Sequence, residues 1–244
     1  MRTTANTILI TGGASGIGLG FVKEFYSLGN KIIICGRSED RLKKVKKEIP
    51  EIIIRQCDVS DAQQREELYT WINDNYPETN VLINNAGIQL NSNITKAFDM
   101  NRIRAEVETN FVAPMHLSSL FTDLLKTKEE SAIINISSGL AFTPLAIIPV
   151  YCATKAALHS YTLSFRHLVK GTSIKVFEIA PPSVDTELGR DRRDNATQSH
   201  GGISVSEFIN EAMEAIKGDV YEAAIGQSKG LYMKREELFN NMNS

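Results

Sequence analysis

The chain alternates short, uninterrupted apolar runs with longer stretches in which apolar residues recur every three or four positions. Thr7-Ile8-Leu9-Ile10 is followed by a helical pattern from about Gly18 to Leu28 that carries Phe21, Val22, Phe25 and Leu28. Lys31 to Cys35 leads into a basic helix from about Glu39 to Glu48, and Ile52-Ile53-Ile54 into a helix near Asp61 to Asn75. Val81-Leu82-Ile83 precedes a long helical region ending near Lys126. Ala132 to Ile136 precedes a helix from about Tyr151 to Val169, and Ile174 to Ile179 is a sixth strand. A helix from about Val205 to Lys217 and a last strand at Tyr221 to Ile225 complete the pattern. Runs that are apolar at every position suit strands buried on both faces. Strand–helix repetition of this kind predicts a parallel sheet with right-handed crossovers and helices on both sides, an α/β doubly wound fold. Such sheets bind ligands outside the carboxyl ends of their strands, so the residues just after each strand hold the chemistry.

Composition narrows the function classes. The 244 residues are 42% hydrophobic and 23% charged, as expected for one large globular domain over 1–244. A net charge of −2 gives no reason to expect nucleic acid or an anionic membrane as partner. No apolar stretch approaches the ~18 residues of a membrane span, and the first residues contain no signal-peptide core, so a cytoplasmic protein is expected. Cys35, Cys57 and Cys152 lack metal-ligand spacing and read as buried reduced thiols, with no metal site expected. The sequons Asn93-Ile94-Thr95 and Asn195-Ala196-Thr197 read as chance matches. Residues 187 to 203, with Gly189, Gly201, Gly202 and many polar side chains, are expected to form a mobile substrate lid.

Thr11-Gly12-Gly13-Ala14-Ser15-Gly16-Ile17-Gly18 follows the first strand and opens the first helix. Glycines at 12, 16 and 18 let the backbone turn tightly and approach a pyrophosphate, while the helix N-terminus offers free N–H groups. Set between the first strand and helix of a βαβ unit, this run signals a Rossmann-type dinucleotide site. The spacing T-G-x-x-x-G-x-G, however, resembles the short-chain dehydrogenase/reductase family, and the resemblance runs from about residue 7 to 188. Asn84-Asn85-Ala86-Gly87 matches its N-N-A-G element after the fourth strand, and Asp58-Val59 the pair that holds adenine. The C-terminal stretch from Gly226 to Tyr232 resembles one bacterial branch of the family. The resemblance implies that Gly12, Ser15, Gly16, Ile17, Gly18, Asp58, Val59, Asn84, Ala86 and Gly87 hold NAD(P)(H), joined by Tyr151, Lys155, Val184 and Thr186.

Tyr151 and Lys155 are four residues apart on a predicted helix and share a face. Carbonyl reduction needs a proton donor whose pKa lies near the operating pH, and free tyrosine, at about 10, is too weak an acid. An ammonium about 4 Å away at an effective dielectric of ~20 supplies roughly 4 kcal/mol, about three pKa units. The resemblance adds Ser138, thirteen residues before Tyr151, to place the substrate oxygen, with its neighbour Ser137 as the competing choice. It also adds Asn110, which in the family holds a water that links the lysine to solvent; a purely structural asparagine is the other reading. The implied activity is hydride transfer between nicotinamide and a small-molecule carbonyl/alcohol pair, with a non-enzymatic NAD(P)-binding sensor or partner-recruiting module as the alternative. One departure stands out. The family usually has Pro-Gly after the sixth strand, where this chain has Pro181-Pro182, and Pro182 removes an N–H and restricts φ beside the substrate.

NAD-preferring members end the second strand with an aspartate on the adenosine ribose. Here that position is Gly36, followed by Arg37 and Ser38. A guanidinium grips a 2′-phosphate through paired hydrogen bonds, so NADP(H) is expected over NAD(H), which stays possible. The competing reading makes Arg37 the start of a solvated basic face with Arg41, Lys43 and Lys44. Leu140, Phe142, Pro144, Leu145, Ile147 and Ile148 fit a greasy pocket wall or plain packing equally. Arg190, Arg192 and Arg193 either meet an anionic substrate or belong to a solvated surface offset by Asp191 and Asp194. Family resemblance also implies a homodimer or homotetramer. Phe111, Met115, Leu158 and Phe165 then lie between subunits, unless they are core residues.

Overall fold

Each apolar run became a strand, and alternate residues of one strand feed opposite layers. The computed structural model describes residues 1–90, 94–95, 99–189 and 201–244. In chain order, Thr7–Thr11 (β1), Gly16–Ser27 (α1), Lys31–Gly36 (β2), Glu39–Glu48 (α2), Ile53–Gln56 (β3), Ala62–Asn75 (α3) and Val81–Asn84 (β4) form the first half. Met100–Val107 (α4), Ala113–Lys126 (α5), Ser131–Ile136 (β5), Pro149–Leu168 (α6), Ile174–Ala180 (β6), Val205–Lys217 (α7) and Glu222–Ala224 (β7) form the second. The seven strands pair in the order β3-β2-β1-β4-β5-β6-β7, and every pairing is parallel. This is the doubly wound sheet expected from the sequence.

Ile8 and Ile10 of β1 join Phe21, Phe25 and Phe208 in one layer, while Leu9 joins Leu117, Phe121 and Phe165 in the other. The strands are therefore mostly apolar on both faces, with Lys175 and Glu178 of β6 among the exceptions, because both faces are covered. Strand order reverses between β1 and β4, so the chain leaves their carboxyl ends in opposite directions and opens a crevice there.

Several expectations need adjustment. α1 begins at Gly16, two residues before the periodicity placed it. The long helical region is two helices joined by a π turn at Glu108–Val112, because one extra residue is accommodated in the ladder. A C-terminal cap of Ser228–Lys234 (α8), a 3-10 turn at Arg235–Leu238 and Phe239–Met242 (α9) was not anticipated. Leu158 and Phe165 are buried in this chain's own core, whereas Phe111 and Met115 are half-buried. The three cysteines are buried thiols, as expected. Among the described residues no helix is long and apolar enough to cross a membrane.

The central part of the expected lid, with Arg190, Asp191, Arg192, Arg193, Asp194 and the second sequon, lies outside the described residues, as does Asn93. The ends of that segment are tied together. Asp185 N–H donates to Ile203 O at 2.9 Å, and Ile203 N–H to Ser183 O at 3.0 Å.

Candidate active site

A cavity of about 1060 Å³ lies over the carboxyl ends of the strands. Its floor is the turn from β1 into α1. Gly12 sits there with φ +66°, and a Cβ on it would stand 3.0 Å from the Ala86 backbone. Ser38, Asp61, Asp99 and Ser204 each cap their helix through a side chain, but Ser15 makes no such bond at the start of α1. The first-turn N–H groups of α1 consequently keep their donors for a ligand at the cavity floor. Bare backbone and uncommitted donors at one spot fit a pyrophosphate.

Gly18 does different work. A Cβ there would lie 2.3 Å from Gly12 O, so it lets the helix close on the turn and does not itself line the cavity. Thr11 locks the turn to the next strand, its hydroxyl accepting from Asn85 N–H and Ala86 N–H, both at 3.0 Å. Asn84 lies below this level, buried and away from the cavity. Its amide donates to Asn135 Oδ1 at 2.9 Å and to Ser118 Oγ at 3.2 Å, tying β4 to β5 and α5. Of the N-N-A-G element, Asn85, Ala86 and Gly87 therefore reach the cavity and Asn84 supports them.

At one end, Gly36, exposed Arg37 and Ser38, and Asp58 and Val59 line the wall. Ser38 Oγ accepts from Arg41 N–H at 3.3 Å, fixing the start of α2 beside Arg37. Asp58 is held by Ser60, whose N–H and hydroxyl donate to Oδ1 at 3.0 and 2.8 Å. Buried Arg65, which sequence reading overlooked, bonds Val59 O at 2.6 Å and Glu108 Oε1 at 2.9 Å. It thereby joins this wall to the π turn. Arg41 pairs with Glu187 at 2.8 Å across the mouth.

At the other end the sequence-predicted residues Ser138, Tyr151 and Lys155 line the same cavity, together with Val184 and Thr186. Pro149 at the first position of α6 fixes the helix start, which puts Tyr151 in its first turn and Lys155 one turn later. Lys155 Nζ donates to Ile136 O at 2.9 Å and stands 5.7 Å from the Tyr151 ring centroid. Burial pulls the Lys155 ammonium down to about 8, against an opposing pull from the Glu178 carboxylate. Ser138 Oγ accepts from Leu140 N–H at 3.1 Å; Ser137, also at the cavity, has a buried hydroxyl without a hydrogen-bond partner among the described residues.

Asn110 is fully buried in the π turn. Its Oδ1 accepts from Ile88 N–H at 2.8 Å, and its amide donates to Ile88 O at 2.8 Å and Thr154 Oγ1 at 3.1 Å. A Cβ on Gly87 would fall 3.4 Å from Asn110 Oδ1 and 3.7 Å from Lys155 Nζ, so the glycine brings the two within reach of one point.

Leu140, Leu145 and Ile148 line the cavity, and Ile147 is exposed, so the apolar segment divides between wall and surface. The unforeseen C-terminal cap completes the wall with Gln227, Ser228, Leu231 and Met242. Pro182 also lines the cavity, its ring opposite Gly226, while the neighbouring Pro181 carbonyl takes the Gly139 N–H at 2.9 Å.

Residues 6–197 match the model of the short chain dehydrogenase family. An oxidoreductase of uncharacterised function from Bacillus subtilis, DltE, is 47% identical and covers 100% of this chain and 99% of its own. The NADP-dependent 3-hydroxy acid dehydrogenase YdfG of Salmonella typhi is 28% identical over 84% of this chain and 86% of its own. A short-chain dehydrogenase/reductase from Burkholderia phymatum in complex with NAD superposes with a TM-score of 0.87 at 20% identity, covering 100% and 97%. A Burkholderia cenocepacia enzyme in complex with NADP gives 0.83 at 24%, covering 96% and 94%. With its sheet order, its glycine turn and a family match over most of its length, the chain belongs to the short-chain dehydrogenase family.

Proposed function

We propose that the protein transfers a hydride between NADP(H) and a carbonyl/secondary alcohol pair, with Tyr151 as general acid/base. The observation that carries this reading is that Ser138, Tyr151 and Lys155 open into the cavity whose floor is the uncapped start of α1. Gly12, Ser15, Gly16 and Ile17 would hold the pyrophosphate, Asp58 and Val59 the adenine, and Val184 and Thr186 the nicotinamide side. When bound, the nicotinamide supplies or accepts the hydride. Tyr151 gives its proton to the carbonyl oxygen in reduction and takes one from the alcohol in oxidation. Lys155 holds positive charge beside the phenol, favouring the phenolate that this exchange produces. Ser138 orients the substrate oxygen. Asn110 holds Ile88 and Thr154, the two walls beside Lys155, on the path by which the lysine exchanges protons with solvent.

A panel of ketones and aldehydes tests the reading. At least one should oxidise NADPH well above the buffer rate. A protein that binds NADPH and turns over none of them is a recruiting or sensing module instead.

Cofactor choice is separately testable. Arg37 is exposed at the cavity wall beside Gly36, where no carboxylate opposes a 2′-phosphate. The NADP dependence of YdfG supports the same choice. Arg37→Ala should weaken NADPH binding by about 1.5–3 kcal/mol, the scale of a hydrogen bond to a charged group, and leave NADH little changed. Gly36→Asp should turn the preference toward NADH by repelling the phosphate. Equal affinity of the unaltered protein for both cofactors, titrated at one ionic strength, contradicts the assignment.

A further inference from the structure

Glu178 is a carboxylate in the middle of a buried strand, and beyond its pull on Lys155 the proposed reaction gives it no role. On β6 it shares a face with Val176 and points to the layer that contains α6; it is 0% exposed. Its Oε2 lies 2.7 Å from His159 Nδ1, and among the described residues its Oε1 has no hydrogen-bond partner. A carboxylate so buried is costly unless opposite charge surrounds it.

The opposite charge comes from α6. Tyr151, Lys155 and His159 follow one another at intervals of four residues and so occupy one helix face. Lys155 is anchored on Ile136 O, and Ile136 pairs with Ile179, the neighbour of Glu178 on β6. The lysine and histidine thus flank the strand position from which Glu178 projects. Burial and Glu178 act in opposite senses on Lys155, while the bond to Glu178 raises His159 above the usual histidine range.

Other charges face the cluster from its rim. Glu222 of β7 stands 3.9 Å from His159. Arg235 lies 5.5 Å over the Phe142 ring, whose edge meets His159 with centroids 4.9 Å apart. Arg166 of α6 is engaged by Val176 O and Tyr221 O. The 2.7 Å contact is a hydrogen-bond distance; two ligands ~2.0–2.2 Å from one zinc ion at a tetrahedral angle stand about 3.4 Å apart. His159, Glu178 and Glu222 are therefore read as a proton-linked network.

We propose that Glu178, held by His159, is a positioning residue for the reaction: its carboxylate keeps the Lys155 ammonium charged and in place behind Tyr151. This rests on the roles given above to Tyr151 and Lys155, but its test does not depend on turnover. In protein labelled with 13C-lysine, the Lys155 Cε resonance titrates with the ammonium. Glu178→Gln keeps the side-chain shape and removes the charge, so the Lys155 midpoint should fall by about one pH unit, the low end for an opposite charge nearby. The alkaline limb of kcat for carbonyl reduction should move with it. An unmoved midpoint alongside a lowered kcat overturns the proposal, because a purely structural pair alters rate and stability without altering this titration.

Coupling between two sites is reciprocal, which supplies a second measurement if the glutamine variant does not fold. Lys155→Met leaves Glu178 intact and removes the competing cation, so His159 should titrate at higher pH. With four histidines in the chain, its ring signal is readily assigned by His159→Asn. A His159 midpoint unchanged by Lys155→Met overturns the proposal. An active Tyr151→Phe enzyme would instead overturn the catalytic reading and leave both titrations standing.

Discussion

Replacing Tyr151 by Phe is expected to lower kcat at least about 100-fold while leaving NADPH affinity nearly unchanged. Tyr151 is 5% exposed, and its ring packs with Ile148 and Cys152 and against Leu140 and Leu145. Phe keeps that packing and removes only the oxygen. The expected loss is the usual contribution of a positioned general acid, about 100- to 10,000-fold, because water reaches a buried carbonyl oxygen poorly and lacks the neighbouring ammonium. Steady-state turnover with the best substrate of the carbonyl panel checks it, with NADPH titration and circular dichroism as controls. A folded variant retaining a tenth of the original kcat would remove Tyr151 from the chemistry.

The second large effect is expected at Gly18. A Cβ at that position would lie 2.3 Å from Gly12 O and 2.5 Å from Asn85 Nδ2, inside a turn whose backbone is fixed from both sides. The nearest atom is a main-chain carbonyl, and the Asn85 amide beside it is itself held by Thr11 O and Gly12 O. Overpacking of this kind costs typically 1–3 kcal/mol, and the fixed backbone puts Gly18→Ala at about 3. For a chain of this size that is a fall in Tm of roughly 6–12 °C, with loss of NADPH binding as the turn is pushed open. Gly230, inside α8 with nothing within 4 Å of an added Cβ, is the control. Gly230→Ala should raise stability by about 0.5–1 kcal/mol, because alanine loses less backbone entropy in a helix. Equal melting temperatures for the two variants would show that the close approach at Gly18 is not under steric control.

Most strands were legible because the sheet is covered on both faces, so they stand out as apolar runs such as Ile32-Ile33-Ile34. The site was legible where its residues are close in sequence: the turn from Gly12 to Gly18, and Tyr151 with Lys155 on one helix face. What escaped has no local signature. The cap made by α8, the 3-10 turn and α9 is too short for a periodicity and takes its position from Gly139 and Thr143, far away in sequence. Arg65 reads as a surface helix charge, yet it is 2% exposed because Glu108 and the Val59 carbonyl, from other elements, gather round it. The pairing of Glu178 with His159 likewise joins a strand and a helix. The four-residue spacing of Tyr151 and Lys155 shows what the lysine does to the tyrosine and not what its surroundings do to the lysine. Burial, which draws Lys155 itself down to about 8, depends on tertiary packing.

The π turn at Glu108–Val112 has a consequence for insertions and deletions. Each helical residue advances the side-chain direction by about 100°, so the extra residue sets the angular offset between α4 and α5. From the α4 side Glu106 accepts the Leu90 N–H at 3.0 Å, and from the turn itself Asn110 clamps Ile88. From the α5 side Leu117 and Phe121 fill the core layer beneath β4 and β5. Losing one residue here would restore an unbroken α-helix and rotate one set of contacts out of place whenever the other stayed. Homologous chains should therefore vary freely in residue type along much of this rod while keeping its length constant, so that gaps in an alignment of relatives collect in the loops on either side and avoid residues 106 to 112.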